Sequence, residues 1–438
     1  MEQIDLLRAD FGGRHIDLDK SWLRHFEKVR AHVAAGAHLS EARRLFIGAL
    51  FSGEYALESA ALFNPSIVPH PSQDGLGPHD LRFIMSLRAT GEGHISSIEF
   101  RTGVICADGS IQMEMPTPFA TLPELNPNPT FHKVTFLGKL NDMGLENDWS
   151  AALMARLQPR FTLEQLEKSM QQAVADRTPA NVRDVERTTE CVHWLAESNY
   201  EIHFASSTTV SERIIFPVSG NESNGIEDAR FVRFVDDDGT ATYYATYTAY
   251  NGRVILPQLI ETTDFLHFRI LTLNGRAAQN KGMALFPRRI DGRYAMLSRQ
   301  DDENLFLMYS DNSHFWSDPQ PLQSPVQPWE FVKIGNCGSP IETEAGWLVL
   351  THGVGAMRKY CIGAILLDLH DPSRVIGRLN QPLLKPEGSE REGYVPNVVY
   401  SCGALVHGGR LILPYGLSDS ASTIVTFDLG ALLAALEP

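Results

Sequence analysis

Cysteine is scarce in this chain of 438 residues. The five present (Cys106, Cys191, Cys337, Cys361 and Cys402) are scattered, odd in number and without CxxC spacing. That supports neither a disulfide framework nor a zinc site, and it suits a reducing compartment, so a cytoplasmic location is expected. Long apolar runs are also missing. No stretch approaches the roughly 18 residues of a membrane span, and the opening MEQIDLLRADFGGRHIDLDK has no apolar signal core, so no membrane partner is expected. Basic residues are outnumbered by acidic ones, 38 to 53, for a net charge of −15. Such a field argues against general affinity for nucleic acid or anionic membrane. An anionic substrate then requires a local cationic pocket.

What is present is an ordinary globular balance, 43% hydrophobic and 21% charged, in a chain long enough for a large core. Two regions read as helical. From about Asp19 to Ser59, Trp22, Phe26, Val29 and Val33 recur at helical spacing. A second set, Leu45, Leu50 and Tyr55, follows a break expected near Gly36. The second region, TLEQLEKSMQQAVADRTPANVRDVERTTECVHWLAES, places Leu163, Leu166 and Met170 on one face, then breaks at Pro179 before another helix. Thr162 and Gln165 form a candidate capping box. These helices are expected to pack on the main body or to build a homo-oligomer.

The remainder reads as short strands and turns, and it repeats. Five copies share a unit in which a Gly-containing turn joins two apolar strands: FNPSIVPHPSQDG…LRFIMSLRATGEGHISSIEF, IEDARFVRFVDDDGTATYYATYTAYNGRVILPQLI, MALFPRRIDGRYAMLSRQDDENLFLMYSDNSHFW, GSPIETEAGWLVLTHGVGAMRKYCIGAILLDL and PNVVYSCGALVHGGRLILPYGLSDSASTIVTFDL. An all-β pattern with a period of a few tens of residues suggests propeller blades. The expected fold is mainly β: a five-bladed β-propeller over residues 61–438, an N-terminal helical extension over 1–60, and a helical insertion at about 150–200 between blades one and two. Inner strands would then bring Asn64, Arg88, Asp228, Arg299, His352 and Asp419 to one central funnel, where propellers keep their chemistry.

One stretch breaks a local rule. In SNGIEDARFVRFV, the pair Glu227–Asp228 opens a strand although Asp and Glu are poor strand formers, and such breaks often mark working sites. Alternation along an extended chain directs Glu227 to the side opposite Asp228, as a structural residue paired with an arginine. By contrast, Asp236 to Asp238 read as a solvated hairpin turn.

The segments NGIEDAR…YYATYTAY, ALFPRRIDGRYAMLSR, KIGNCGSPIETEAGWLVLTHGV and LLDLHDPSRVIGRLNQPLLKPEGSEREGYVPNVVYSCGALVHGGRLILPYGLSD resemble glycoside hydrolase family 130. This is the family of β-mannoside phosphorylases and related mannosidases. The resemblance runs from about Asn64 to the C-terminus, apart from the helical insertion, and implies a five-bladed propeller. It also implies that Asp228, matching the Asp of a GxEDPR motif, is the lone catalytic acid. Ala229 stands where the family usually has Pro, which loosens the turn without removing the carboxyl.

An inverting glycosidase needs a carboxylic acid and a carboxylate base. A phosphorylase replaces the base by phosphate, already an anion, and needs cations to hold it in line. By resemblance, the phosphate-binding candidates are Lys281, Arg299, His352 and Tyr360, with Lys281 where many members carry Arg. The mannose candidates are Asn64, Arg88, Lys333 and Asp419. The resemblance further implies a proton relay from the Asp through the mannose 3-hydroxyl. Taken singly, Arg88 could equally brace a strand and His352 could be a core histidine. It is their joint placement in five repeats that points to a site.

The expected function is inverting, metal-independent phosphorolysis of β-mannosides, β-1,2-linked mannooligosaccharides by preference. Inorganic phosphate is the co-substrate, no cofactor is needed, and α-mannose 1-phosphate is the product. Two rivals are a β-mannosidase using water, with its base among Glu261, Glu303, Glu330 and Glu392, and a mannan-binding propeller without turnover.

Overall fold

The computed structural model describes residues 2–34, 38–175 and 182–438, the side chains of 182–184 excepted. Breaks expected at Gly36 and Pro179 fall outside the described residues. Among the described residues, five antiparallel sheets of four or more strands follow one another, together with one two-stranded ribbon. The first sheet holds Ala61–Pro69, Leu81–Thr90, Ser96–Ile105 and Ile111–Met113, with Ile214–Ile215 on the third strand. The second begins with Ile226–Val235, Ala241–Tyr250, Ile255–Thr262 and His267–Thr272, and adds Tyr200–His203 and Glu124–Leu125 at its outer edge. The third runs from Ala284–Leu285 to Gln320–Gln323 and the fourth from Lys333–Asn336 to Val375–Arg378. The fifth centres on Arg410–Leu417, flanked by Val399–Tyr400 and Ala421–Asp428. Each of the five sequence repeats falls in its own sheet.

Burial explains why the sheets stack. The strand Gly346–Val354 (GWLVLTHGV) is buried at every position, so both its faces meet other sheets. Separate apolar clusters join successive sheets. Ile84, Ile98 and Phe100 meet Phe231 and Ala245 between the first and second. Phe234 and Leu259 meet Leu285 and Met296 between the second and third. Leu297 and Leu305 meet Trp347 and Val349, and Leu350 and Ile362 meet Val399 and Leu413. Ile67, Phe83 and Met85 of the first sheet meet Leu405 and Ile412 of the fifth. The last sheet therefore packs against the first.

At the N-terminus, Glu2–Phe11, Leu18–Val29 and Glu41–Leu50 are helical around Ile4, Trp22 and Leu45. Asp17 and Ser40 cap the second and third, accepting from the Lys20 and Arg43 amides. Gly48 lets these two helices touch, since a Cβ there would lie 1.8 Å from the Trp22 carbonyl oxygen. The helical reading to Ser59 overran the element. Leu50 ends the helix exposed, and Tyr55 lies beyond it, its hydroxyl donating 2.8 Å to the Glu92 carbonyl of the first sheet. The first helix, EQIDLLRADF, was not read from the sequence; of its apolar side chains Ile4 is the one that is buried.

The insertion is longer than the sequence suggested. Its helices are Lys133–Asp142, Asp148–Ala155, Leu163–Ala175 and Val182–Glu197, so it starts near 130 rather than 150. They pack around Leu140, Leu153, Phe161 and Val192. Both halves of the Thr162–Gln165 capping box are present. Trp194 Nε1 donates 2.7 Å to Asn221 Oδ1, and the Thr272 amide donates 2.9 Å to Asn199 Oδ1, tying the insertion to the sheets. Among the described residues, no helix is long and apolar enough to cross a membrane.

Candidate functional site

Two first strands break their ladders in the same way. In Ala61–Pro69 the pairing jumps between Phe63 and Ser66, and in Ile226–Val235 between Glu227 and Arg230. Asn64 (φ 50°) and Asp228 (φ 56°) sit in these bulges with left-handed backbones, a conformation that costs an L-residue about 1 kcal/mol or more and gathers at functional sites. Asn64 Nδ2 donates 2.8 Å to Asp228 Oδ1. Gly225 lets the second strand approach, because at φ 119° its Cβ position lies 2.7 Å from the Ser96 amide.

The bulge corrects one expectation. Glu227 and Asp228 do not face opposite sides. Arg88 Nη2 donates 2.8 Å to Glu227 Oε1 while its Nη1 lies 3.7 Å from Asp228 Oδ1. The pairing of Glu227 with an arginine is as expected, but the left-handed residue cancels the alternation of an extended chain. Lys281 Nζ stands 3.8 Å from Glu227 Oε2. Burial opposes charge on Asp228, but Arg88, Arg230, Lys281 and the Asn64 hydrogen bond outweigh it and hold the carboxyl below its ordinary value. Asp419 behaves oppositely. Burial, then the Asp228 charge, push its carboxyl up to about 6 against the pull of Arg88.

A second cluster is built on the third to fifth sheets. Arg299 Nη1 donates 2.8 Å to His352 Nε2. Guanidinium can only donate, so that ring nitrogen is the acceptor and the ring is neutral. Burial, then the Arg299 and Arg230 charges, accordingly drive the His352 pKa well down. Gly335 makes the pair possible, since a Cβ there would meet His352 Cε1 at 2.6 Å and Arg299 Cδ at 3.0 Å. The Tyr360 and Tyr400 rings lie 6.1 Å and 5.0 Å from the imidazole. Asp302 Oδ1 is 3.4 Å from Arg299 Nη2, and its Oδ2 accepts from Lys333 Nζ at 2.5 Å.

Arg230 links the clusters. Its Nη1 donates 2.9 Å to the Asp228 carbonyl and its Nη2 donates 2.7 Å to the Tyr400 hydroxyl. The residues picked from sequence therefore fall in two adjoining groups. Asn64, Arg88, Lys281 and Asp419 gather around Asp228, and Lys333 and Tyr360 join Arg299 and His352. Lys281 contacts the acid group, and Lys333, picked as a mannose residue, contacts the cationic group. Arg230, Tyr400, Asp302 and Gly335 were not singled out as site residues. Arg230 was visible two residues from Asp228, and Asp302 three from Arg299. Nothing local marks Tyr400.

The four carboxylates weighed as hydrolytic bases make no contact with these groups among the described residues. Glu261 pairs with Arg269 at 2.9 Å and lies 3.5 Å from His314. Glu330 accepts from the Val326 and Gln327 amides. Glu303 and Glu392 are exposed. Among the described residues, no group of three or more His, Cys, Asp or Glu side chains is arranged to hold a metal ion.

The chain has relatives. The chain is 34% identical over 229 residues to a 1,2-beta-oligomannan phosphorylase of Thermoanaerobacter sp., covering 50% of this chain and 74% of that one. To a beta-1,2-mannobiose phosphorylase of Listeria innocua it is 31% identical over 252 residues, covering 56% and 68%. The solved structure of a Listeria innocua beta-1,2-mannobiose phosphorylase shares its fold, with a TM-score of 0.52 at 21% identity over 86% of this chain and 92% of that one. The model of glycoside hydrolase family 130, described as beta-1,4-mannooligosaccharide phosphorylase, matches residues 184–437. With more than half its length in that match, from the last helix of the insertion through the strand of Asp228 to the last sheet, the chain belongs to glycoside hydrolase family 130.

Proposed function

We propose that this protein is a phosphorylase that cleaves β-mannosides with inorganic phosphate and inversion, releasing α-mannose 1-phosphate. One observation carries the reading. Asp228, its carboxyl buried, is linked through Arg230 and Tyr400 to a cationic group, Arg299 with Lys333, while the neighbouring carboxylates Glu227 and Asp302 are each held by cations. Phosphate brings its own negative charge, so such a site needs an anion seat, for which a guanidinium fork is well suited. Arg299 Nε is buried without a protein partner, a donor an anion would satisfy.

In the reaction, phosphate attacks the anomeric carbon while Asp228 supplies a proton to the departing glycosidic oxygen. We assign Asn64, Arg88 and Asp419 to the mannose side and Arg299, His352 and Tyr360 to the phosphate side, with Lys281, beside Glu227, approaching from the first group and Lys333, beside Asp302, joining the second. The surrounding cations favour the carboxylate of Asp228 before substrate binds. A bound phosphate dianion offsets part of that bias, because a nearby like charge raises a carboxyl's affinity for its proton.

Our reading of the architecture is a five-bladed propeller over 61–438, with 1–60 as a helical extension. The closed succession of five sheets supports it. A β-1,2 linkage is our preferred substrate, supported by the names of two relatives, while the family description points to β-1,4. Five free cysteines agree with a cytoplasmic setting. The test is product analysis with β-1,2- and β-1,4-mannobiose, each with and without phosphate. Mannose 1-phosphate formed only with phosphate supports phosphorolysis, and the faster disaccharide identifies the linkage. Mannose released equally in both buffers would make the enzyme a hydrolase.

A further inference from the structure

We propose that Asp302 is an internal competitor for phosphate, a carboxylate that occupies the anion seat until phosphate displaces it. The inference rests on the phosphorolysis reading and concerns how that site is filled. Asp302 divides its oxygens between two cations, Oδ1 at 3.4 Å from Arg299 Nη2 and Oδ2 accepting from Lys333 Nζ at 2.5 Å. A carboxylate bridging two cations presents the geometry that two phosphate oxygens would present.

The cations are fixed and the anion is the member free to leave. The Arg299 side chain is only 6% exposed and is held by His352, and that of Lys333 is 19% exposed at the start of a strand. The Asp302 carboxylate is 48% exposed, on a turn at the third sheet. Its neighbour fixes that turn, since Asp301 Oδ1 accepts from the amides of Glu303 and Asn304 at 2.9 and 2.8 Å. Asp302 itself is left-handed (φ 64°), a strained conformation retained where the surroundings require it. Its side chain can rotate into solvent without moving the turn. While it stays, it lowers the cost of keeping a buried guanidinium beside a neutral imidazole, at the expense of phosphate affinity.

The experiment is calorimetric titration of inorganic phosphate, without sugar, into the full-length wild type, Asp302→Asn, Asp302→Ser and Glu344→Gln. The last removes an equal charge from an exposed hairpin. Phosphate is expected to bind both Asp302 variants roughly fivefold more tightly, the effect of losing one half-exposed ion pair. Glu344→Gln should match the wild type. In phosphorolysis assays the gain should fall on the phosphate KM, with the mannoside KM changed by less than about twofold; a merely structural role would not split the constants so. Unchanged or weaker phosphate binding in both Asp302 variants, with wild-type melting temperatures, overturns the proposal. If the wild type neither binds phosphate nor forms mannose 1-phosphate, it is the phosphorolysis reading that fails. If it does both and the variants gain nothing, only the role of Asp302 fails.

Discussion

Asn64 and Asp228 occupy the same station in neighbouring sheets, each left-handed in a bulge of the first strand, and they meet through a 2.8 Å hydrogen bond. The bond joins two repeats separated by the whole helical insertion. It also leaves Asn64 Oδ1 buried without a protein partner, an acceptor available to a sugar hydroxyl.

Replacing Asp228 by Asn keeps this geometry and removes the transferable proton. The expected loss is roughly 10²–10⁴ in kcat on an unactivated mannoside, the usual contribution of a positioned acid. Substrate binding should persist, measurable by calorimetry. Retention of most activity would remove Asp228 from the mechanism.

Gly335 should separate phosphate binding from sugar binding. A methyl group there meets both His352 and Arg299 at 3.0 Å or less, so Gly335→Ala must push the pair apart. The phosphate KM should rise by about tenfold, in line with the loss of one charge-assisted contact, while the mannoside KM stays near the wild-type value. Initial rates with each substrate varied in turn would show it.

Asp419 gives a signed pH prediction. Its folded pKa, about 6, lies above the ordinary 3.8, so its contribution to stability is full below about 3.8 and is lost as pH rises through 6. Asp419→Asn should therefore stabilise the fold relative to wild type at pH 7.5, by roughly 1–2 kcal/mol, and much less at pH 4.5. Melting temperatures of both proteins across that range test the sign. The variant should also lose any inflection near pH 6 from its rate profile.

Ala229 follows the bulged Asp228 as Pro65 follows the bulged Asn64, and it falls in the gap of the strand register. Ala229→Pro should be tolerated and should stabilise by about 0.5–1 kcal/mol through the unfolded chain. A lowered melting temperature would mean that the two bulges differ in backbone.

How much of this was legible in sequence depends on range. Each repeat was visible because its hairpins turn on Gly, as at Gly239 (φ 83°), and its strands are apolar. The site residues were legible as types, and Asn64, Arg88, Asp228 and Asp419 do converge. The orientation of Glu227 was misread because alternation is a rule for regular strands, and IEDAR carries no mark of the bulge. The insertion was started late because KVTFLGKLND and DWSAALMA are short and weakly patterned. The partnership of Tyr400 with Arg230 joins positions 170 residues apart. Such contacts are fixed by the closed arrangement of sheets, which no local pattern encodes.

The most direct test of the central claim is phosphorus NMR of the purified protein with β-1,2-mannobiose and phosphate. The account predicts a growing α-mannose 1-phosphate signal, reporting phosphate as nucleophile and inversion at the anomeric carbon together. Free mannose accumulating at the same rate with phosphate omitted, and no sugar phosphate signal, would contradict it.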